Sequence, residues 1–395
     1  MRMKLRTMDD VLLDGRDVLV RTDFNVAVGN DGVVNQDEDY RITAAIPTIE
    51  ELMQRRCKVL LLTHLGRPGE EGGNFDLAPI RRRLEDLLGE EVRQIEALSV
   101  NRVSAVVAGM DGGSVVLLPN IREDEREMSR NQGLAKELAE MAEVYVNEAF
   151  SVSHRDQSSV SLVPTLLPSC AGRRTVIEYE ALSGLMDQPT RPYIAIVSGA
   201  KVETKVAIIT SLLKVVDKIA VGGMIANTFL AAKGYCAMDK HRLEDIEEAK
   251  KILAEAGDRL ILPVDVVVSN LAKKIKAKTV SVKELPKQVD GVWDLGPQTI
   301  QLYLDLCREA KTVMWNGPVG MFEDAAYEKG TYLLAEGLAE LSAKVVVGGG
   351  DTVHALEKLK LVNKFDHVSV GGGAMIAFLE GSRMPGLEPL LVKDD

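Results

Sequence analysis

In the first half of this chain the apolar runs end in basic or hydrogen-bonding residues. VLVRTDFN places Arg21, Asp23 and Asn25 just past Val18–Val20. VLLLTHLGRP does the same with His64 and Arg67, VVLLPNIR with Arg122, and VYVNEAFSVSHR with His154 and Arg155. Arg41, His64, Arg67, Arg122 and Arg155 form a basic cluster. A guanidinium is a planar fork of N–H donors that grips carboxylate or phosphate in pairs, so the cluster suits a small, doubly anionic ligand. One surface arginine more often pairs with an acid; the shared placement past the runs is what points to a site.

In the second half the runs end in glycine: IAIVSGAK, IAVGGM, VMWNGPVG, VVVGGGDT and HVSVGGGA. One glycine after a strand is an ordinary turn. Repeated at Gly222–Gly223, Gly317–Pro318, 348–350 and 371–373, it bares backbone N–H groups at helix starts, which suits a polyphosphate. Lys201 and Lys205, four apart behind SGA, would repel each other near a helix N-terminus unless an anion lay between them. Asp351, directly behind a triple glycine, either caps the next helix or holds a hard cation carried by a nucleotide. Neither G-x-x-x-x-G-K-[ST] nor G-x-G-x-x-G occurs, which argues against a P-loop enzyme and a standard dinucleotide binder. His154-Arg155-Asp156 matches the H-R-D of protein kinases, but its partner motifs are missing and the match is chance.

These residues need strands to carry them. A buried parallel strand reads as a continuous Val/Ile/Leu run, and ligands sit beyond the carboxyl ends of such strands. Helical periodicity alternates with the runs at 41–56, 78–90 and 133–143, and again in KVAIITSLLKVV, IEEAKKILAEAG and GTYLLAEGLAEL. Strand runs are read at YIAIV, KIAVGG, LILPVDVVV (260–268), TVSV (279–282), KTVMWN, KVVVGG and HVSV. This alternation marks a parallel α/β sheet. A proline- and glycine-rich break at 164–192 brackets one helix-like stretch, TVIEYEALSGLM, read as a connector. The fold class expected is α/β, with two doubly wound parallel-sheet, Rossmann-like domains facing each other across a hinged cleft.

At 395 residues the chain exceeds what one core fills. A formal net charge of −11 argues against general nucleic-acid binding. No apolar run approaches the length of a bilayer span, and the start lacks a secretory signal pattern. Four scattered cysteines, Cys57, Cys170, Cys236 and Cys307, read as free thiols in a cytoplasmic protein.

RTDFNV, THLGRP, VYVNEAFSVSHR, SGAKVETK, LPVD, WNGPVGMFE, GGGDT and VGGGA occur in this order, and the chain resembles phosphoglycerate kinase over nearly its whole length. The resemblance implies a 3-phosphoglycerate domain at 1–175, a connecting helix and hinge at 176–190, and a nucleotide domain at 191–375. It also implies a tail at 376–395 that packs back on the first domain. Asp23, Phe24, Asn25, Arg41, His64, Leu65, Gly66, Arg67, Arg122 and Arg155 would bind the acceptor. Ala200, Lys201, Lys205, Gly222, Gly223, Trp293, Asn316, Pro318, Glu323, Gly349, Gly350, Asp351, Thr352, Gly371, Gly372 and Gly373 would bind ATP or ADP with Mg²⁺, the metal meeting Asp351. Arg41, Lys201, Lys205, Gly350 and Gly373 would serve the transfer. The implied partners are these small molecules alone, with no nucleic acid and no membrane, and the expected state is a monomer. The sequence departs from the family at Ala27, Glu123 and Val370, and at Trp293, where leucine commonly faces the adenine. Another acyl-phosphate-forming carboxylate kinase is the alternative, but it would not need five cationic groups for an unphosphorylated acid. A non-catalytic binding protein and a nicotinamide dehydrogenase fit less well, for want of an export signal and of the dinucleotide fingerprint.

Overall fold

The computed structural model describes residues 3–29, 31–66, 76–199, 202–235, 243–270, 275–285 and 291–393, with the side chains of 202–206, 270, 275 and 393 excepted. The chain divides into two compact units, Met1–Glu180 with Ser382–Asp395, and Ala181–Gly381.

In the first unit, strands β2 (Asp17–Thr22), β3 (Lys58–Leu62), β4 (Val92–Gln94), β5 (Val115–Leu117), β6 (Val144–Glu148) and β7 (Ser169–Ala171) form one parallel sheet in the order β4-β5-β3-β2-β6-β7. Alternate side chains serve opposite faces. Val18, Val20, Val59, Leu61 and Val146 pack with Ile49, Leu52, Ile80 and Leu84 on one face. Leu19, Leu60, Leu62, Val116 and Tyr145 pack with Val103, Leu134 and Leu138 on the other. Both faces are dry, which is why the strands are uninterrupted apolar runs.

The helix expected over 41–56 is two helices, Tyr40–Thr43 and Ile46–Gln54. Pro47 explains the break: it lacks an N–H and fits the first turn of a new helix. Helix Ala78–Leu88 ends at Gly89, whose φ of 68° makes it a left-handed cap.

Helix Arg173–Asp187 contains the division between the units, and a buried carboxylate fixes its start. Thr48 Oγ1 accepts from the Arg173 N–H at 2.8 Å. Glu148 accepts from the Arg174 and Thr175 N–H groups at 3.0 and 3.2 Å and from Thr48 Oγ1 at 2.5 Å. Burial pushes the Glu148 carboxyl up to about 7, these hydrogen bonds notwithstanding. The final segment pairs β17 (Leu391–Lys393) antiparallel with β1 (Met3–Leu5). Asn147 Nδ2 donates to the Gly386 carbonyl at 2.9 Å, and the Gly386 N–H to the Ser153 carbonyl at 2.9 Å. The expected tail start at 376 falls inside helix Gly373–Leu379, which groups with the second unit; the return begins at 382.

In the second unit, strands β8 (Tyr193–Val197), β9 (Lys218–Val221), β10 (Leu260–Ile261), β14 (Thr312–Asn316), β15 (Lys344–Gly348) and β16 (His367–Val368) form a parallel sheet in the order β10-β9-β8-β14-β15-β16. Counted within the unit this is 3-2-1-4-5-6, the Rossmann order. The first unit differs, because its fourth strand lies between its second and third.

Two expected strands do not join this parallel sheet as read. LILPVDVVV is split at Pro263 into β10 and β11 (Asp265–Asn270), and TVSV falls within β12 (Ile275–Ser281). With β13 (Gly291–Leu295), β11 and β12 make a separate antiparallel sheet in the order β12-β11-β13. Proline has no N–H for a ladder, so the chain leaves the sheet there. Asp294 of β13 accepts from the Gly330 N–H at 2.7 Å, in the first turn of helix Lys329–Ala339, and from the Leu295 N–H at 2.8 Å. Burial pushes its carboxyl up to about 7.

Cys57, Cys170 and Cys307 are buried free thiols; Cys236 lies outside the described residues. Among the described residues, no helix is long and apolar enough to cross a membrane.

Candidate active site

The sheet of the first unit reverses its direction of growth at β2, with β3 on one side and β6 on the other, and the polar residues gather beyond the carboxyl ends of these strands. Asp23 follows β2 and is buried. Its Oδ2 accepts from Arg41 Nη1 and from Ser151 Oγ, and its Oδ1 accepts from the Asn25 N–H at 3.1 Å. Burial alone would raise this carboxyl. The Arg41 charge and the hydrogen bonds from Ser151 and Asn25 win, and hold it well below the usual carboxylate range. Asp23 is therefore ionised throughout the neutral range. It braces Arg41, whose side chain remains about 30% exposed.

His64 follows β3 and is 2% exposed. Its Nε2 lies 3.6 Å from Asp23 Oδ1. Burial drives its pKa well below the usual value; Asp23 opposes this, and Arg21, Arg122 and Arg41 reinforce it. His64 is neutral, so it supplies a dipole and not a charge.

The next turn is clamped by amide side chains. Asn120, beyond β5, accepts from the Leu65 N–H at 3.2 Å and donates to the Leu65 carbonyl at 3.0 Å. Asn25 Oδ1 accepts from the Gly66 N–H at 2.9 Å, and Arg122 Nη1 donates to the Gly66 carbonyl. Arg155 follows β6 and is half-buried. Arg67 lies outside the described residues.

Two expected acceptor residues serve the scaffold instead of presenting side chains. Phe24 is fully buried in the core under the sheet, and its N–H donates to Thr63 Oγ1 at 2.9 Å. Leu65 is 4% exposed, with both backbone groups held by Asn120. Ser151, Asn120 and Thr63 do the holding and were not singled out from the sequence. Their one signal is a place just past an apolar run, which many serines and asparagines share.

The corresponding edge of the second unit is built from backbone. Gly317, after β14, has φ 96°, and a Cβ there would lie 2.1 Å from the Ser198 carbonyl oxygen. Its N–H donates to Thr352 Oγ1 at 2.9 Å. Gly349, with φ 103°, caps helix Gly350–Lys358, and Asp351 stands exposed in its first turn. Gly222 caps helix Gly223–Ala232, where Gly223 has φ 56°. Gly372, with φ 48°, caps helix Gly373–Leu379. Left-handed values like these are open to glycine and strained for other residues. Asn316 is fully buried at the end of β14, and Thr352 is also buried.

Gly199, Gly223, Met224, Val292, Trp293, Pro318, Gly320, Met321, Glu323 and Asp351 line one pocket of about 220 Å³. Trp293 sits where the β11–β13 register shifts, and such a bulge re-aims a side chain. Its carbonyl accepts from the Met321 N–H at 2.9 Å. The apolar wall of Met224, Val292, Trp293 and Met321 suits a flat base, and the carboxylates of Glu323 and Asp351 stand at the same pocket. Met224 and Met321 were not foreseen. Ala200 and Lys201 lie outside the described residues; Lys205 lies in helix Val202–Leu212, and its side chain is outside them too.

Among the described residues no cluster of three or more His, Cys, Asp or Glu could hold a metal. One hard carboxylate, Asp351, fits a Mg²⁺ that arrives with nucleotide phosphates, since this ion keeps few protein ligands.

The phosphoglycerate kinase family model matches residues 8–382. Phosphoglycerate kinase of Pelotomaculum thermopropionicum is 41% identical over 398 residues, covering 99% of this chain and all of that protein. The enzyme of Rubrobacter xylanophilus is 40% identical over 397 residues, with full coverage of both. Among solved structures, phosphoglycerate kinase from Coxiella burnetii superposes with a TM-score of 0.83 at 36% identity, and that from Pyrococcus horikoshii with 0.88 at 28%; each covers 98% of both chains.

Proposed function

The chain belongs to the phosphoglycerate kinase family and is a phosphotransferase with a carboxyl acceptor; from that premise we propose which residues hold each substrate and how they promote transfer. The reaction moves the γ-phosphoryl of ATP to the carboxylate of 3-phosphoglycerate, or back from 1,3-bisphosphoglycerate to ADP.

The acceptor binds to the first unit. Arg41, Arg122, Arg155 and, on sequence grounds, Arg67 take its anionic groups, with the neutral His64 as a hydrogen-bonding partner. Asn25 and Gly66 shape the turn beside them. The nucleotide binds to the second unit. Its base lies beside Gly222–Gly223 and against Trp293, Met224 and Met321, its ribose reaches Glu323, and its phosphates meet the N–H groups at Gly349–Gly350 and Gly372–Gly373, with Gly371 shaping the last turn. Asn316, Pro318 and Thr352 shape the turns, and Ala200, Lys201 and Lys205 are assigned on sequence grounds. Asp351 would hold Mg²⁺, which neutralises phosphate charge when bound.

An acceptor carboxylate is ionised at neutral pH, so the reaction needs no general base. Asp23 already carries hydrogen bonds from Arg41 and Ser151 and is a brace. Catalysis then rests on positioning and on compensating charge on the transferring phosphoryl oxygens. Arg41 does this from the acceptor side, and Lys201, Lys205 and the N–H groups at Gly350 and Gly373 from the nucleotide side. Acyl phosphates hydrolyse readily, so water must be excluded while the carboxylate approaches in line. The glycolytic role of the family supports a cytoplasmic location.

The observation that supports these assignments is the chemical contrast between the two edges, one lined by cationic side chains and the other by glycine turns. Calorimetry with 3-phosphoglycerate and MgADP, together with a coupled MgATP assay, tests them. Arg122→Ala should weaken only the first ligand and Asp351→Ala only the second. A reversal of that pattern would refute the division of labour.

A further inference from the structure

We propose that Arg21 is a positioning residue of the acceptor site: it locks His64 in the neutral tautomer that carries its proton on Nε2, and so keeps a donor turned toward Asp23, the brace of Arg41. The proposal rests on the reading of Asp23 and Arg41 given above.

Arg21 is the penultimate residue of β2 and is 1% exposed. It cannot offer its fork to a ligand in solvent. Every contact of its guanidinium is internal. Nε donates to Ser159 Oγ at 2.8 Å, and Nη1 donates to the Thr22 carbonyl at 2.5 Å. Ser159 is itself held by the buried Glu127: its Oγ donates to Oε1 at 2.6 Å and its N–H to Oε2 at 2.9 Å. Ser159 lies in a single turn of π-helix, Ser158–Leu162, a local distortion that often marks functional positions.

The remaining contact sets the chemistry of His64. Arg21 Nη1 and Nη2 lie 3.3 and 3.4 Å from His64 Nδ1. A guanidinium has donors only, so Nδ1 must accept. A neutral imidazole that accepts at Nδ1 has its proton on Nε2, and Nε2 is the atom 3.6 Å from Asp23 Oδ1. With the proton on Nδ1, two donors would face each other and a bare lone pair would face a carboxylate. The doubly protonated ring would add a buried cation against Arg21. One guanidinium thus excludes two of the three forms of His64. A relay from Glu127 through Ser159, Arg21 and His64 ends on the Oδ1 side of Asp23, while Arg41 and Ser151 occupy the Oδ2 side.

The test is NMR of the full chain labelled with ¹⁵N-histidine, paired with calorimetric binding of 3-phosphoglycerate and of MgADP. In the unsubstituted protein the His64 signals should show Nδ1 bare and Nε2 protonated across the neutral range. Arg21→Met should give a mixture of tautomers. It should also weaken 3-phosphoglycerate by about tenfold or more, with MgADP unchanged within about twofold. If Arg21→Met does not fold, Ser159→Ala, which removes the hydroxyl that holds Nε and donates to Glu127, is read the same way with a loss of about threefold. A His64 that carries its proton on Nδ1 in the unsubstituted protein overturns the proposal whatever the variants do. So does a tautomer that stays put in a folded Arg21→Met. An Nε2–H tautomer in a protein that binds no 3-phosphoglycerate overturns the acceptor-site reading and leaves the tautomer lock standing.

Discussion

The two parallel sheets end in opposite chemistry, and in the function proposed above they hold anions by opposite means. Beyond β2, β3, β5 and β6 the work is done by side chains, and each needs a partner behind it: Asp23 behind Arg41, Asn120 behind the turn at Leu65, Arg21 behind His64. Beyond β14, β15 and β16 the proposed donors are backbone N–H groups, and at Gly222 and Gly317 neighbouring atoms already fill the place a side chain would take. The Cβ forbidden at Gly317 is the clearest case. A side-chain site discriminates by the geometry of forks and carboxylates. A backbone site accepts any polyphosphate that fits its helix N-termini. The charged edge should therefore fail by loss of a group, and the glycine edge by gain of one.

The largest expected effect is at the reacting oxygens. Arg41→Ala, or Lys201→Ala on the other side, should lower kcat by about 10²–10⁵, by analogy with oxyanion donors and arginine fingers. Steady-state rates within about threefold of the unsubstituted enzyme would remove these residues from the mechanism. Gly317→Ala should cost about 3 kcal/mol of stability, from a left-handed φ and a close approach to the Ser198 carbonyl. It should weaken MgADP while 3-phosphoglycerate binding persists in the folded fraction. Denaturant melts with calorimetry measure both, and an unchanged midpoint would show that the turn is not obligatory.

The two units also share one device. Glu148 and Asp294 each cap a helix from a buried strand residue, and burial raises both carboxyls to about 7. A carboxyl raised in the folded state binds its proton more tightly there than in the unfolded chain. Its contribution is complete below the unfolded value of about 4.5 and lost as pH rises to about 7. Glu148→Gln should remove its share of that decline, on the order of 3 kcal/mol across the window. Asp23 and His64 act in the opposite sense. Both have depressed values, so the His64 contribution is present above about pH 6.5 and is lost on acidification, and that of Asp23 fails only below about pH 4. Unfolding free energy against pH for Glu148→Gln and the unsubstituted protein checks this; parallel curves would contradict it.

The smallest effect of a substitution is at Asp351. Asp351→Ala should raise KM for MgATP by about tenfold with KM for 3-phosphoglycerate unchanged. Chelation of Mg²⁺ should abolish turnover in both proteins. Equal shifts in both KM values would show that Asp351 serves the fold and not the nucleotide.

Much of this site is legible in the amino-acid order. A strand buried on both faces must be apolar from end to end, so its carboxyl end is visible as the first polar or glycine residue. Ligands lie there for reasons of sheet topology. That rule put Asp23, Asn25, His64, Arg122 and the glycine turns beyond strand ends from runs of only a few residues, and they lie there in the fold. It failed where the polypeptide changes partners. Pro47 split one helix, Pro263 ended a strand, and β11 to β13 turned antiparallel, each because pairing depends on segments elsewhere in the chain. Phe24 and Leu65, which the resemblance and not this rule put at the site, have buried side chains, since a residue past a strand end can turn inward as readily as outward.

Local order by itself determined which residue types stand at the strand ends, and hence that one unit would offer cations and the other bare amides. It could do so because periodicity and strand termination are properties of neighbours. Only the tertiary structure decided which of those groups are working surfaces and which are hidden supports. Ser151 meets Asp23 across 128 residues and Arg21 meets Ser159 across 138. A hydrogen bond between distant segments is set by how the sheet brings strand ends together, and no spacing within either segment encodes it.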